Sequence, residues 1–487
     1  MTRVAAPGIL TRGKNLRLHN SLTGRVEPFE TLHENEVRMY NCGPTVYKRQ
    51  HIGNFRAFAT ADLLRRSFEF LGYRVLQVMN ITDVGHLTED DRADASGEDK
   101  LQREATRRAL DPWEIARTEE QNFLDDLRVL RIRPAHHYPR ATEHVPEMLE
   151  MIQSLIDSGH AYRAGDNVYF DVSSFERYGA LSGNTLAELA AGASGRVESR
   201  DDKRNPQDFA LWKSDPKHIM QWDSPFGRGF PGWHIECSAM SRKYLGDTLD
   251  IHTGGPDNKF PHHECEIAQS ECVTGEPFVR FWVHSGWLEI AGEKMSKRAG
   301  TLFTVPELVE RGYTGADLRV YLLKQHYRSP LPFEFPLLDE ARRIRQRIAN
   351  FVEHELSGRP AAPDQAEISQ AIEETRNDFR AALEDDLNTS AALASIHAFM
   401  NRVNRAAPGH ADAERAGALM RELDAVFDIL GEEEAGTDDA QIDALVAERD
   451  TARSEKDWER ADALRDELTQ RGIELLDSPQ GTRWRRR

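Results

Sequence analysis

Between residues 37 and 80 the apolar positions change period twice. A short apolar run at 37–41 reads as a strand, and a Gly-Pro loop follows it. From near Asn54 the chain reads as a helix. Phe55, Phe58, Ala59 and Leu63 mark one stripe, and Leu64, Phe68 and Leu71 a second on another side. Stripes on two sides suit a helix wedged between a sheet and a further layer. Gly72 fits a helix C-cap, and residues 74–80 then read as a second buried strand. Strand, helix and strand in close order make the βαβ unit of a parallel sheet.

The rest of the chain follows the same reading. Residues 1–30 predict a short strand or two, and the polar, acidic stretch 88–102 a mobile surface loop. Residues 112–160 read as helices, 160–172 as a small β element, and the Ala-, Gly- and charge-rich stretch 186–205 as a flexible insert. Sheet-like segments resume near Phe230. Residues 250–257 predict a strand running into a glycine-rich turn, 261–270 a helix with Pro261 in its first turn, and 279–290 another strand. Residues 308–325 and 337–429 read as helical and 431–440 as an acidic linker. The last stretch, 441–487, reads as a separate module with two helices around Lys456 and Asp457.

Length and composition narrow the class. At 487 residues the chain needs more than one core. No apolar run reaches the roughly 18 residues of a membrane span, and the first residues lack the apolar core of a secretory signal. Four cysteines in so long a chain do not make a disulfide framework, which predicts a reducing, cytoplasmic setting. The formal net charge of −18 speaks for solubility, but the terminal run Arg483-Trp484-Arg485-Arg486-Arg487 is locally basic, so nucleic acid stays a candidate partner.

Candidate chemistry sits at the first strand–helix junction. His51 to Asn54 stand where free backbone N–H groups and the helix dipole can hold a phosphate. Cys42 closes the strand at the sheet's carboxyl edge, where open α/β folds place ligands. Far downstream, Lys294, Lys297 and Arg298 stand in a polar stretch. By itself that stretch reads as a solvated turn, and His-Ile-Gly-Asn by itself is a weak signal. As a pair, His-Ile-Gly-Asn (51–54) and Lys-Met-Ser-Lys-Arg (294–298) resemble the double signature of class I aminoacyl-tRNA synthetases. Cys-Gly-Pro-Thr-Val-Tyr (42–47) and Gly-Trp-His-Ile-Glu-Cys (232–237) make the chain similar to the cysteinyl-tRNA synthetase family in particular, from about Leu16 onward. Asn54 stands where the family often has a second histidine, and Arg298 replaces the usual closing serine.

The resemblance implies an α/β fold: a Rossmann-like parallel-sheet catalytic domain split by an insertion, then an α-helical bundle and a small C-terminal module. The implied divisions are 1–125 and 226–310 for the two catalytic halves and 126–225 for the connective insertion. A stem-contact and helical bundle domain follows at 311–430, and an anticodon-recognising module at 441–487. It implies activation of L-cysteine by ATP (with Mg2+) and transfer to tRNA(Cys), by a monomer. His51, Asn54, Lys294 and Lys297 would be catalytic. Thr45, Gly53, His252, Gly254 and Gly255 would join His51, Asn54 and Lys297 around ATP. Gly43, Thr82, Trp233 and Asp257 would line the amino acid, with Asp257 near its ammonium, although Trp233 by itself reads as a core tryptophan. Trp484 and Arg485 would contact tRNA.

The resemblance also implies one zinc ion per chain, on Cys42, Cys237, His262 and Glu266. All four are zinc-competent residue types, and His262 and Glu266 stand i, i+4. The cysteines lie too far apart in sequence for spacing to nominate them, and each by itself reads as a buried small hydrophobe. Cys265, at i+3 from His262, rivals Glu266 as a ligand. A zinc that selects by binding sulfur would leave a separate editing domain unnecessary, since a pocket of ordinary contacts separates cysteine from serine poorly. An ATP-dependent ligase joining cysteine to an amino sugar would share this catalytic body. Such ligases resemble a synthetase shortened at its C-terminus, whereas this chain continues through a bundle to a Trp-Arg end.

Overall fold

The structure is a computed structural model. It describes residues 15–84, 87–89, 96–108, 110–184, 203–290, 293–294, 302–431, 437–471, 473–478 and 481–486. A hairpin of β1 (Arg17–Asn20) and β2 (Arg25–Pro28) comes first, followed by β3 (Glu36–Asn41), α1 (Ile52–Phe70) and β4 (Arg74–Met79). Helix α1 starts two residues before the expected Asn54. The Asn54 side-chain oxygen Oδ1 accepts the His51 N–H at 3.2 Å, and this cap lets the first turn close at Ile52.

Part of the loop expected at 88–102 (residues 90–95) lies outside the described residues, and the described residues there are in regular elements. A short hairpin, β5 (Leu87–Glu89) with β6 (Ser96–Asp99), leads into α2 (Lys100–Arg108), where Leu101 and Ala105 are buried at helical spacing. Then come α3 (Pro112–Val129), α4 (Val145–Asp157) and the strands β7 (Ala161–Ala164), β8 (Asn167–Phe170), β9 (Phe209–Lys213) and β10 (Phe230–Pro231). These four strands form an antiparallel sheet of their own, in the order β10-β9-β8-β7. The strand at Phe230 therefore belongs to the inserted sheet, and most of the predicted insert at 186–205 lies outside the described residues.

The first sheet is rejoined only after α5 (Trp233–Leu245), by β11 (Leu249–Gly254), α6 (Glu264–Thr274) and β12 (Val279–His284). Its order is β12-β11-β3-β4, with every pairing parallel. The strand expected over 279–290 breaks after His284, where Gly286 N donates to Tyr327 O and a Cβ on Gly286 would lie 2.3 Å from Ser329 O. It resumes as β13 (Leu288–Ile290), paired with β14 (Glu293–Lys294).

Helices follow: α7 (Val305–Glu310), α8 (Gly315–Leu323), then β15 (Leu331–Pro332) and α9 (Phe335–Asn350), and the bundle α10 (Ala366–Glu384), α11 (Thr389–Ala406) and α12 (His410–Phe427). Helix α1 packs on the sheet with one side and on α8 and α12 with the other, as its two stripes require. Between those layers lies a buried ionic cluster. Arg319 of α8 donates to Asp62 of α1 and to the Phe427 carbonyl, while Arg66 holds Asp62 at 2.8 Å and Asp428 at 2.7 Å. Severing such a buried pair costs about 3–5 kcal/mol, so the cluster fastens the bundle to α1 and through it to the parallel sheet.

The chain divides into two compact units, residues 1–430 and 431–487. In the second, α13 (Thr437–Ser454) and α14 (Trp458–Gln470) pack together beside the hairpin β16 (Ile473–Ser478) and β17 (Gly481–Arg486) around Ile442, Val446, Leu468 and Ile473. No described helix is long and apolar enough to cross a membrane.

Candidate active site and metal centre

Strands β3 and β11 are neighbours, yet the chain runs from β3 to β4 on one side and from β11 to β12 on the other. A crevice opens where the strand order reverses, because the connections at that point diverge to opposite faces. A cleft of about 530 Å³ lies there, lined by residues just past β3 (Cys42 to Thr45), the start of α1 (His51, Gly53, Asn54), Thr82 beyond β4, and Gly255 and Asp257 beyond β11. Trp233 and Cys237 reach it from α5, and His262 from the turn before α6. Gly43 also lines it.

Two of the expected nucleotide residues lie elsewhere. His252 is fully buried beneath the cleft, stacked on Trp282 with ring centroids 4.7 Å apart, and its Nε2 meets Glu266 Oε2 at 2.8 Å. Gly254 does not line the cleft either. A Cβ there would come within 2.7 Å of His263 Cε1, so this glycine serves close packing. Both face the sheet's interior because they belong to β11 itself, whereas Gly255 and Asp257 follow its end.

Cys42, Cys237 and His262 line the cleft floor with Glu266 fully buried behind them, the four residues' ligand atoms all within 4.8 Å of one another. His262 Nε2 lies 3.3 Å from Cys237 Sγ and 3.0 Å from Glu266 Oε1, and Cys42 Sγ lies 3.8 Å from the same carboxylate oxygen. Tetrahedral zinc with N, O and S ligands spaces its donors about 3.3–3.8 Å apart. The donor set fits such an ion in both chemistry and size. Cys42, His252, His263 and Glu266 form a second grouping of similar spread, but neither histidine reaches the cleft.

The two ligands of α6 and the turn before it are sorted by their neighbours. Residues 259–263 form a wide turn and the regular helix begins at Glu264, so His262 is not itself on the helix. Cys265 points away, with its Sγ 3.3 Å from the Tyr178 hydroxyl, while Glu266 turns to the cleft floor. The supporting groups are aligned as a metal site needs. His262 Nδ1 faces His234 Nδ1 at 2.9 Å and its ring stacks on Trp233, centroids 4.3 Å apart. Trp233 is therefore a wall of the site as well as a packed ring.

Charges in the cluster are arranged around its donors. Burial disfavours ionising Cys237, but the Cys42 hydrogen bond and His262 reverse this and bring its thiol down to about 6. Cys42 moves well upward, through burial and its bond to Cys237. Glu266 falls to about 2: burial opposes ionisation, and His252 and His262 overcome it. Burial would lower His262, yet the anionic Glu266 and Cys237 raise it to about 10. A cation on the floor would take over the role of that proton.

The phosphate end of the cleft is built differently. Ile52 N donates to Phe303 O at 2.8 Å, and His51 pairs with Thr304 across an antiparallel bridge. Phe303 and Thr304, a few residues beyond the second signature, thus meet the first, while Lys294 is on β14. Lys297 and Arg298 lie outside the described residues. In the C-terminal unit, Trp484 and Arg485 belong to β17, opposite Leu475 and Glu474, and Trp458 is 60% exposed at the start of α14.

A profile described as the tRNA synthetases class I (C) catalytic domain matches residues 28–343, a DALR domain profile residues 378–432, and a cysteinyl-tRNA ligase anticodon binding domain profile residues 439–485. The chain belongs to the cysteinyl-tRNA synthetase family. Relatives named cysteine–tRNA ligase include that of Symbiobacterium thermophilum, 45% identical over 97% of this chain and 99% of its own length. That of Salinibacter ruber is 42% identical over 97% and 98%. Methionyl-tRNA synthetase of Mycobacterium tuberculosis, solved with methionyl-adenylate, shares the fold at TM-score 0.56 and 15% identity, covering 81% of this chain and 90% of that one. The Agrobacterium radiobacter LeuRS–tRNA–LeuAMS complex does so at TM-score 0.59 and 12% identity, covering 82% and 85%.

Sequence reasoning passed over two groups at this site. Asn80 lines the cleft directly, and Glu236, fully buried, accepts from the Thr82 hydroxyl at 3.0 Å. The signal for Glu236 was a carboxylate next to a proposed ligand cysteine, in a helix that, His234 apart, otherwise buries small and apolar residues.

Proposed function

We propose that this chain activates L-cysteine with ATP and transfers it to tRNA(Cys), with zinc held by Cys42, Cys237, His262 and Glu266. The observation that carries the reading is the convergence of two thiols and an imidazole on the floor of a cleft, with a buried carboxylate behind them, and the first nucleotide signature at the cleft's other end. Zinc held there supplies a borderline-soft centre that favours a substrate thiolate over serine's hydroxyl.

The chain's own groups account for the remaining work. Thr82 and Asp257 line the cleft where the amino acid's ammonium would lie, and Trp233 closes the wall beside His262. Attack of the cysteine carboxylate on the α-phosphorus expels pyrophosphate and builds charge on the phosphoryl oxygens. His51 and the start of α1 face that charge. Asn54 keeps its side-chain Oδ1 on the His51 N–H, which leaves Nδ2 to donate to phosphate. Lys294 and Lys297, with Mg2+ brought by ATP, would neutralise the leaving pyrophosphate. Thr45, Gly53 and Gly255 complete the nucleotide's side of the cleft. The 3′ end of tRNA then takes the aminoacyl group from the adenylate.

For tRNA, the second unit offers the exposed Trp458 for stacking on an unpaired base, and Trp484 and Arg485 on β17. One chain supplies every group of the cleft, so the reading requires no second copy. Its thiols suit a reducing cytoplasm. The test is cysteine-dependent ATP–pyrophosphate exchange together with charging of tRNA(Cys) and metal analysis. One zinc per chain, with cysteine activated and serine not, is the expected result; an active metal-free preparation that also activates serine would sink the reading.

A further inference from the structure

Asn80 stands at the carboxyl end of β4, against the cleft wall made by Gly43 and Thr82, and its orientation is forced. The backbone N–H of Gly43 can only donate, and it meets Asn80 Oδ1 at 2.8 Å. The close approach needs Gly43, since a Cβ there would lie 1.6 Å from the Asn80 carbonyl oxygen. The other end of the amide is then Nδ2, which donates to Thr82 Oγ1 at 3.0 Å. With a donor on that side, the hydroxyl sends its single proton to Glu236 Oε2, 3.0 Å away. That oxygen can accept whether or not Oε1 carries a proton.

Asn80, Thr82 and Glu236 are all buried, and Gly43, Asn80 and Thr82 line the cleft. Toward the cleft, Thr82 therefore presents a lone pair and no proton. We infer that Glu236, acting through Thr82 and latched by Asn80, makes this spot a pure hydrogen-bond acceptor that selects the protonated α-amine of the amino acid. Glu236 is a positioning residue here: it touches Thr82, and Thr82 touches the substrate. The inference rests on the reading that the cleft activates cysteine.

The experiment uses the metal-loaded full chain in cysteine-dependent ATP–pyrophosphate exchange. It reads the Ki of 3-mercaptopropionate, which is cysteine without its amine, divided by the KM for cysteine. Glu236→Met removes the acceptor and frees the Thr82 proton to turn into the cleft, and the ratio should fall about tenfold, the scale of one hydrogen bond to a charged group. Glu236→Gln keeps an accepting oxygen and should recover most of the ratio. Thr82→Val should lower the ratio by a similar factor, and the Glu236→Met/Thr82→Val double variant no further, because both act through one hydroxyl. The inference is overturned if Glu236→Met raises both constants together, if the two losses multiply, or if Glu236→Met loses metal. Should Glu236→Met not fold, the nearly isosteric Thr82→Val and Glu236→Gln still decide: an unmoved ratio in Thr82→Val, or a full loss in Glu236→Gln, overturns it. Absence of any exchange in the parent chain would instead remove the activity itself.

Discussion

The floor and the rim of the cleft solve different problems with different materials. On the floor, Cys237, His262 and Glu266 are buried, and two of the three are braced by a neighbour: Glu266 by His252, His262 by His234 and Trp233. At the rim, His51 and Asn54, the proposed nucleotide groups, stand at the start of α1, where Phe303 and Thr304 meet it. Buried, cross-braced donors hold one geometry and so can discriminate between two nearly isosteric substrates. Groups at a helix start can gather around a triphosphate and release pyrophosphate. On the proposed function, selection would belong to the floor and activation to the rim.

The contrast breaks most sharply at Cys237. Cys237→Ser should lose the metal and lower cysteine-dependent exchange roughly a thousandfold, about 4 kcal/mol of transition-state stabilisation, read by metal analysis and kinetics together. Metal retained at full stoichiometry would contradict the ligand assignment. At the rim, His51→Ala should lower kcat for exchange by about a hundredfold while the metal stays in place, since it removes one donor to the developing charge. If zinc left with His51, floor and rim would not be separable.

A milder substitution sharpens the boundary between the two. His252→Phe keeps the ring stacked on Trp282 but removes the partner of Glu266 Oε2. Metal affinity should fall about 10- to 100-fold, measured by competition with a chelator, with KM for ATP moving far less. An effect on ATP alone would return His252 to the nucleotide.

The last effect is one of stability, not activity, beside the floor. Burial pushes Asp83 up to about 6, against hydrogen bonds from Thr142 that favour the charge. A carboxyl raised in the folded state binds its proton more tightly there than in the unfolded chain. Its contribution is therefore present at low pH and is lost as pH rises from about 4 to 6, by at most roughly 3 kcal/mol. The urea midpoint of the parent should fall more over that interval than that of Asp83→Asn. Equal slopes would mean Asp83 is ionised throughout.

Much of this protein was legible locally. The two stripes of α1 predicted a helix pressed from both sides, and the sheet and the bundle helices α8 and α12 do press it. The glycine-rich ends of β3 and β11 marked the sheet's carboxyl edge, because turn chemistry is written in neighbouring residues. Local pattern is silent where a residue's surroundings come from elsewhere. His252 and Gly254 share a glycine-rich stretch with Gly255 and Asp257, yet the strand's end divides them into interior and cleft. The acidic loop expected at 88–102 hid the start of α2, whose buried Leu101 and Ala105 are only two positions at helical spacing.

By itself, then, the sequence determined the periodicities, the breaks between them and the residue types able to carry nucleotide and thiol chemistry. Only the tertiary structure decided which of them meet. Helical spacing allowed both Cys265 and Glu266 to accompany His262; Tyr178 takes the first and His252 holds the second. Cys42 and Cys237 share a site because two parallel crossovers bring the end of β3 beside α5, and Asn80 reaches Glu236 through Thr82 for the same reason. Spacing along a chain fixes direction only within an element, whereas convergence of distant side chains is set by how the elements pack.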